Sequence, residues 1–191
     1  QDGAGLVSTA GDITTTADNI SFATGVTLAA GPVALDTGAG AGTITFGSTL
    51  DGTTANTEDL TLTADTGNID FDDIVGGTTD LGIVTVVSAA DVTADAAFNA
   101  SAINQTAGSG TTTFTGPIQT LGTLVTDGLD LNGQAFTFSN TVNTGTLGAV
   151  SITNAGLLTI ASAADMTLGG AFLQDGAGLV STAGDITTTA D

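Results

Sequence analysis

The chain has 191 residues, 41 % of them hydrophobic, yet contains no Lys, Arg, His, Cys, Trp or Tyr. Its twenty acidic residues face no basic side chain, which leaves a formal net charge of −20. This excludes nucleic-acid binding, which needs cations to displace counterions from phosphate, and with it disulfides, Cys/His zinc sites and any Ser–His or Cys–His dyad; anionic membrane surfaces are disfavoured on the same ground.

The chain is too apolar for a disordered acidic tail. No apolar run approaches the ~18 residues of a membrane span, so membrane insertion is not expected. About a fifth of the residues are Thr, 28 are Gly, and only Pro32 and Pro117 are prolines. Thr, Val and Ile favour strands and Gly punctuates turns, so the composition is that of a β protein.

In chain order, the first segment is QDGAGLVSTAGDITTTAD, residues 1–18. NISFATG then places Ile20 and Phe22 on one strand face, followed by GVTLAAG and PVALDTG. GTITFGS repeats the pattern with Ile44 and Phe46, DLTLTADTG follows, and GNIDFDD repeats it again with Ile69 and Phe71. GIVTVVSAAD, GTTTFTG with Phe114, QAFTFSN with Phe136 and Phe138, and AVSITNAG complete the series. Each stretch alternates inward apolar residues with Thr, Ser, Ala or Asp at a period of two. The last segment, residues 174–191, is identical to residues 1–18.

Two periods emerge. Phe22 to Phe46 is 24 residues, Phe46 to Phe71 is 25, and Phe114 to Phe138 is 24. Residues 82–98 also align with 156–172 at nine of seventeen positions. Short sub-repeats of this length, with several short strands each and no helical periodicity, predict an all-β chain folded as a right-handed parallel β-helix (a β-solenoid). About seven or eight coils fit in 173 residues. The rival is a series of tandem β-sandwich domains, against which the ~24-residue sub-period and the lack of Trp, Tyr and Cys both count. The terminal identity predicts that residues 1–173 are one repeat unit and that 174–191 begin the next identical one. No linker marks the junction GGAFLQDGAGLVSTAG, so the chain reads as a window on a longer tandem array.

Stretches such as GTITFGSTLDG, LTLTADTGNIDF, NAGLLTIASAADMTLGGAF and QDGAGLVSTAGDITTTADNISF resemble the β-strand repeats of giant bacterial surface proteins. These are the filamentous haemagglutinin-like and autotransporter-passenger-like adhesins. The resemblance covers essentially the whole chain and brings no catalytic motif. It implies a β-helical shaft displayed outside the cell.

The candidate sites are few. NIDFDD concentrates Asp70, Asp72 and Asp73, and DGLDLNG offers Asp127, Asp130 and Asn132 near turns. Carboxylates suit Ca²⁺, a hard cation, but neither stretch matches a known calcium-loop pattern, and a solvated acidic face is the plainer reading. Paired carboxylates such as Asp70 and Asp72 also serve glycoside hydrolases, but a strand face opposite Ile69 and Phe71 faces solvent and shows no cleft. No catalytic or cofactor-binding residue is assigned. Outward Thr in TTTFT, LTLT and DITTT resembles ice-binding ladders, yet the coil spacing drifts. Asn19, Asn99 and Asn104 stand in N-x-S/T sequons, a weak glycosylation signal. The expected function is a non-enzymatic, extracellular structural repeat whose partners are neighbouring copies, end to end. The alternative is an adhesive module that contacts glycans or another cell, with STLDGTTANTED and DDIVGGTTDLG as the contact loops.

Overall fold

The computed structural model describes residues 1–124 and 126–189. Twenty-three short strands wind into a parallel β-solenoid of about eight coils, each strand pairing with the corresponding strand one coil away. Every strand pairing among the described residues is parallel, which excludes the sandwich alternative, whose sheets are antiparallel.

The strands form three faces, visited in turn. Face 1 carries Val7–Thr9, Val26–Leu28, Leu50–Gly52, the bridge residue Val75, the first half of Phe98–Gln105, Ile118–Thr120, Val142–Thr144, Met166–Leu168 and Ile186–Thr188. Face 2 carries Ile13–Thr14, Val33–Asp36, Leu60–Thr63, Leu81–Ser88, the second half of Phe98–Gln105, Leu129–Gly133, Val150–Asn154 and Phe172–Gln174. Face 3 carries Ile20–Phe22, Ile44–Phe46, Ile69–Phe71, Val92–Ala94, Thr111–Phe114, Ala135–Phe138, Leu158–Ile160 and Val180–Thr182. The face 3 rungs Ile20, Ile44, Ile69, Val92, Thr112, Phe136, Leu158 and Val180 are 20 to 25 residues apart. Coil length therefore varies while the ladder stays in register, because the extra residues sit in the corners.

Alternation puts one residue in two inside. Ile44, Leu50, Leu60, Leu62, Ile69, Leu81, Val150 and Leu158 have no accessible surface, and the buried apolar residues form one continuous core. A column of phenylalanines runs through it. Phe22, Phe46 and Phe71 stack face to face at 5.5 and 5.2 Å between centroids. At the next rung Ala94 replaces the aromatic, and Phe98 from face 1 reaches in edge-on to Phe71 and Phe114. Phe114 and Phe138 resume the stacking at 5.5 Å. The column thus fills a small-residue rung from a neighbouring face, which keeps the packing dense.

Two parts of the sequence pattern come out differently. Asp130 and Asn132 lie within the strand Leu129–Gly133, not at a turn, on its outward side. Asn99 and Asn104 belong to the eight-residue strand Phe98–Gln105, which rounds the corner between faces 1 and 2. Its core side is formed by Phe98, Ala100, Ile103 and the buried Gln105, so the inward parity shifts at the corner and the strand shows no simple apolar alternation. The buried Gln105 is satisfied by the Thr112 hydroxyl, which donates to its Oε1 at 2.7 Å.

Candidate functional site on the outer faces and open ends

With no cation in the chain, the acids must find other donors, and six times an Asp or Asn finds the same one. The residue just before the first inward position of a strand turns its Oδ1 onto the backbone N–H of its rung neighbour in the next coil. Asp12 accepts from Ala34, Asn19 from Thr43, Asp59 from Ile83, Asn68 from Asp91, Asp91 from Thr111 and Asp165 from Asp185, at 2.7 to 3.2 Å. These bonds tie a coil to the next at four of the coil junctions, where a ladder begins. Backbone donors left unpaired at such corners are costly, and a carboxylate is a strong acceptor.

Glu58, the only glutamate, performs a related task inside a corner loop. It is 3 % exposed, and its Oε2 accepts from the N–H groups of Thr53 and Thr54 at 3.1 and 3.0 Å. The Thr53 hydroxyl lies 3.0 Å from both Glu58 Oε1 and the Leu28 carbonyl. A Cβ on Gly52 would meet Oε2 at 2.7 Å, so glycine makes the approach possible. Burial raises the carboxyl's pKa, but the hydrogen bonds from Thr54 and Thr53 outweigh it and hold the pKa below the ordinary value. Motif reading passed over Glu58; its being the sole glutamate was the one available signal.

The sequence-predicted acids are dispersed. Asp70 is half-buried at the middle of face 3, and Asp72 is exposed just past the strand end. Burial raises the Asp70 pKa, reinforced by the charges of Asp72, Asp95 and Asp91 and opposed by the Thr93 hydroxyl. Asp73 turns its Oδ1 onto the N–H of Ile74 at 2.8 Å. Asp127 is buried in a separate corner, where Oδ2 accepts from the Leu124 N–H and the Thr123 hydroxyl at 2.8 and 2.7 Å. Asp130 projects from face 2, beside Asn104 and Ser151 along a hollow of about 260 Å³. Among the described residues no three acids are placed to hold one metal ion.

The outer column of face 3 runs Ser21, Thr45, Asp70, Thr93, Thr113, Thr137, Thr159, Ser181, with a hydroxyl on every rung except Asp70. The adjacent column mixes Thr111, Ala135 and Leu157, so the hydroxyls make a single file and not a regular two-dimensional array. Between the 48–59 insertion and the next corner lies a shallow hollow of about 390 Å³, lined by Asn56, Asp59, Ser101, Leu121 and Leu124. The Ser101 hydroxyl reaches Asn56 Oδ1 at 3.3 Å, two coils away. Every phenylalanine faces inward; Phe172, half-buried near the last coil, is the least covered.

Both ends present open strand edges. Leu6 is 85 % exposed at one and Leu179 78 % at the other, and the strands Val180–Thr182 and Ile186–Thr188 are exposed at every position. Residues 190–191, the last two of the repeated segment, lie outside the described residues.

A scan against protein-family models finds no match, and neither a curated protein nor a solved structure matches the chain. The chain is an all-β parallel β-solenoid of about eight turns, a fold consistent with repeat proteins such as adhesins.

Proposed function

We propose that this chain is one unit, plus the start of the next, of an extracellular bacterial shaft, a non-enzymatic rod whose length is set by copy number. The observation that carries this reading is the repeated segment, which joins the solenoid as part of one continuous parallel ladder. Residues 174–191 restate residues 1–18 and pair onto Val150–Asn154, Leu158–Ile160 and Met166–Leu168, so the ladder of one unit runs into the start of the next. Backbone pairing and the apolar core would then continue from unit to unit, giving a rod that is stiff without any ion pair. The excess of acids keeps neighbouring rods apart. The cell surface as its location, and filamentous adhesins as its relatives, belong to the same proposal.

Electron microscopy of chains with one, two and four units provides the test. The rod should lengthen by ~37 Å per added unit at constant width, from a ~4.8 Å rise per coil. Beads separated by gaps would defeat the reading. Adhesive contact through the outer surface is the second reading, favoured by the polar and apolar hollow at Asn56, Asp59 and Leu124. It predicts that Asn56→Ala and Leu124→Ala abolish cell or glycan adhesion without shortening the rod.

A further inference from the structure

The identical end segments do not occupy the same faces. Val7–Thr9 pairs with Val26–Leu28 on face 1, whereas its counterpart Val180–Thr182 pairs with Leu158–Ile160 on face 3. Ile13 pairs with Leu35 on face 2, and its counterpart Ile186 pairs with Met166 on face 1. The Gln1 carbonyl accepts from the Ala23 N–H beside face 3, while its counterpart Gln174 pairs with Ile152 on face 2. All three comparisons are displaced by one face in the same sense. Val180 stands twenty-three strand positions beyond Val7, counting Val75 as one and Phe98–Gln105 as two. At three positions per coil, 173 residues make seven and two-thirds coils.

The internal repeat also changes face, by one position in the opposite sense. Val84, Val92 and Phe98 lie on faces 2, 3 and 1, and their sequence counterparts Leu158, Met166 and Phe172 lie on faces 3, 1 and 2. Asp91 and Asp165 occupy equivalent positions in the two sub-repeats, on different faces, and each accepts the backbone N–H of its rung neighbour in the next coil. The three faces are therefore interchangeable for a given stretch of sequence. An integral number of coils per unit is not needed to continue the ladder.

We infer that successive units are phased by one third of a turn, so that each feature of the unit appears on the three faces in succession. This rests on the tandem-shaft reading; the partner is the next copy of this sequence. The edge is already prepared for it. Asp185, the counterpart of Asp12, stands on the last coil and would cap the next copy's counterpart of Ala34, as Asp12 does here. The true period of the rod is then three units, 23 coils, or ~110 Å at a ~4.8 Å rise. A binding surface carried once per unit would face three directions around the shaft, within reach of targets on every side.

The absence of cysteine makes a clean test in the 191-residue chain. Outward rung neighbours in adjacent parallel strands are close enough for a disulfide to form. The double variants S8C/T27C and T159C/S181C should each cross-link on oxidation, and T167C/S181C, which would pair if the end segment kept its original face, should not. Linkage of T167C/S181C, or failure of T159C/S181C, overturns the phase slip. In a four-unit chain, a gold label on Q119C in every unit should step around the rod, with the fourth mark above the first. Marks in line along an intact rod overturn the slip and leave the shaft standing. Separate globules overturn the shaft and the slip with it.

Discussion

At the scale of the residue, one position along a strand decides everything. Phe46 is 1 % exposed and stacked between Phe22 and Phe71; Thr45, its neighbour, looks outward. Replacing Phe46 with Asp should lower stability by at least the ~3–5 kcal/mol of a lost buried aromatic, with an unpaired buried charge in addition. Thr45→Asp should cost far less, ~0.2–1 kcal/mol from the like charge of Asp70 on the next rung. Urea midpoints compare the two, and equal effects would invert the inside and outside of the strand. Two acids report with opposite signs. Glu58 has a lowered pKa, so the folded state binds its proton less readily than the unfolded chain. Its contribution is present above the unfolded carboxyl pKa and is lost as pH falls through the folded value. Asp70 has a raised pKa, so its ionisation costs stability as pH rises through the carboxylate range. Glu58→Gln should therefore destabilise at neutral pH and converge on the parent in acid. Asp70→Asn should stabilise at neutral pH and lose that advantage in acid. Denaturation midpoints across the acid limb read both.

At the scale of the element, the recurrent unit is a strand preceded by Asp or Asn. Removing one such acceptor strands a backbone N–H, so Asp59→Ala or Asp91→Ala should cost ~1–3 kcal/mol, while Asp59→Asn should cost little. Asn19 and Asn68 already act in that way. Asp2→Ala, at an exposed end, is the control. Thermal unfolding separates these variants, and an effect of Asp59→Asn as large as that of Asp59→Ala would show that charge, and not the acceptor, matters. This is also where the legibility of the sequence divides. Strands of the Ile-x-Phe type were plain from alternation, because a large inward residue on each coil sets both the face and the period. Phe98–Gln105 was not, because its core positions Phe98, Ala100, Ile103 and Gln105 break the period of two where the strand turns a corner. Asp130 and Asn132 looked like turn residues because their type favours turns, yet the pairing of Leu129 and Leu131 with neighbouring coils overrides that preference. The corner role of Glu58 depends on N–H groups four and five residues earlier folding back, which no period reveals.

At the scale of the whole molecule, charge and shape act together. Twenty carboxylates without a basic partner repel between rods, and salt screens that repulsion over ~8–10 Å. Added salt, divalent cations or mild acid should promote lateral association, visible by light scattering. Where screening alone drives the association, Mg²⁺ and Ca²⁺ should act alike and enough NaCl should replace either. A saturable, Ca²⁺-selective step in calorimetry, lost on substituting Asp70, Asp72 and Asp73, would establish a specific site instead. The circular dichroism spectrum should be that of β structure, and substantial helix would contradict the fold.

The ladder has a mechanical corollary. Its hydrogen bonds join coil to coil, so they lie along the axis of the stack and not across it. A load applied to the end of the chain does not shear a whole sheet at once; it lifts the last coil from its neighbour, one rung after another. Each coil of 20 to 25 residues shortens the solenoid by one rung when it detaches, and pays out ~70–85 Å of extended chain at ~3.4 Å per residue. Under tension the molecule is therefore a spool: it yields in small, evenly sized increments at a low and nearly constant force, and it rewinds on the template of the coil left behind.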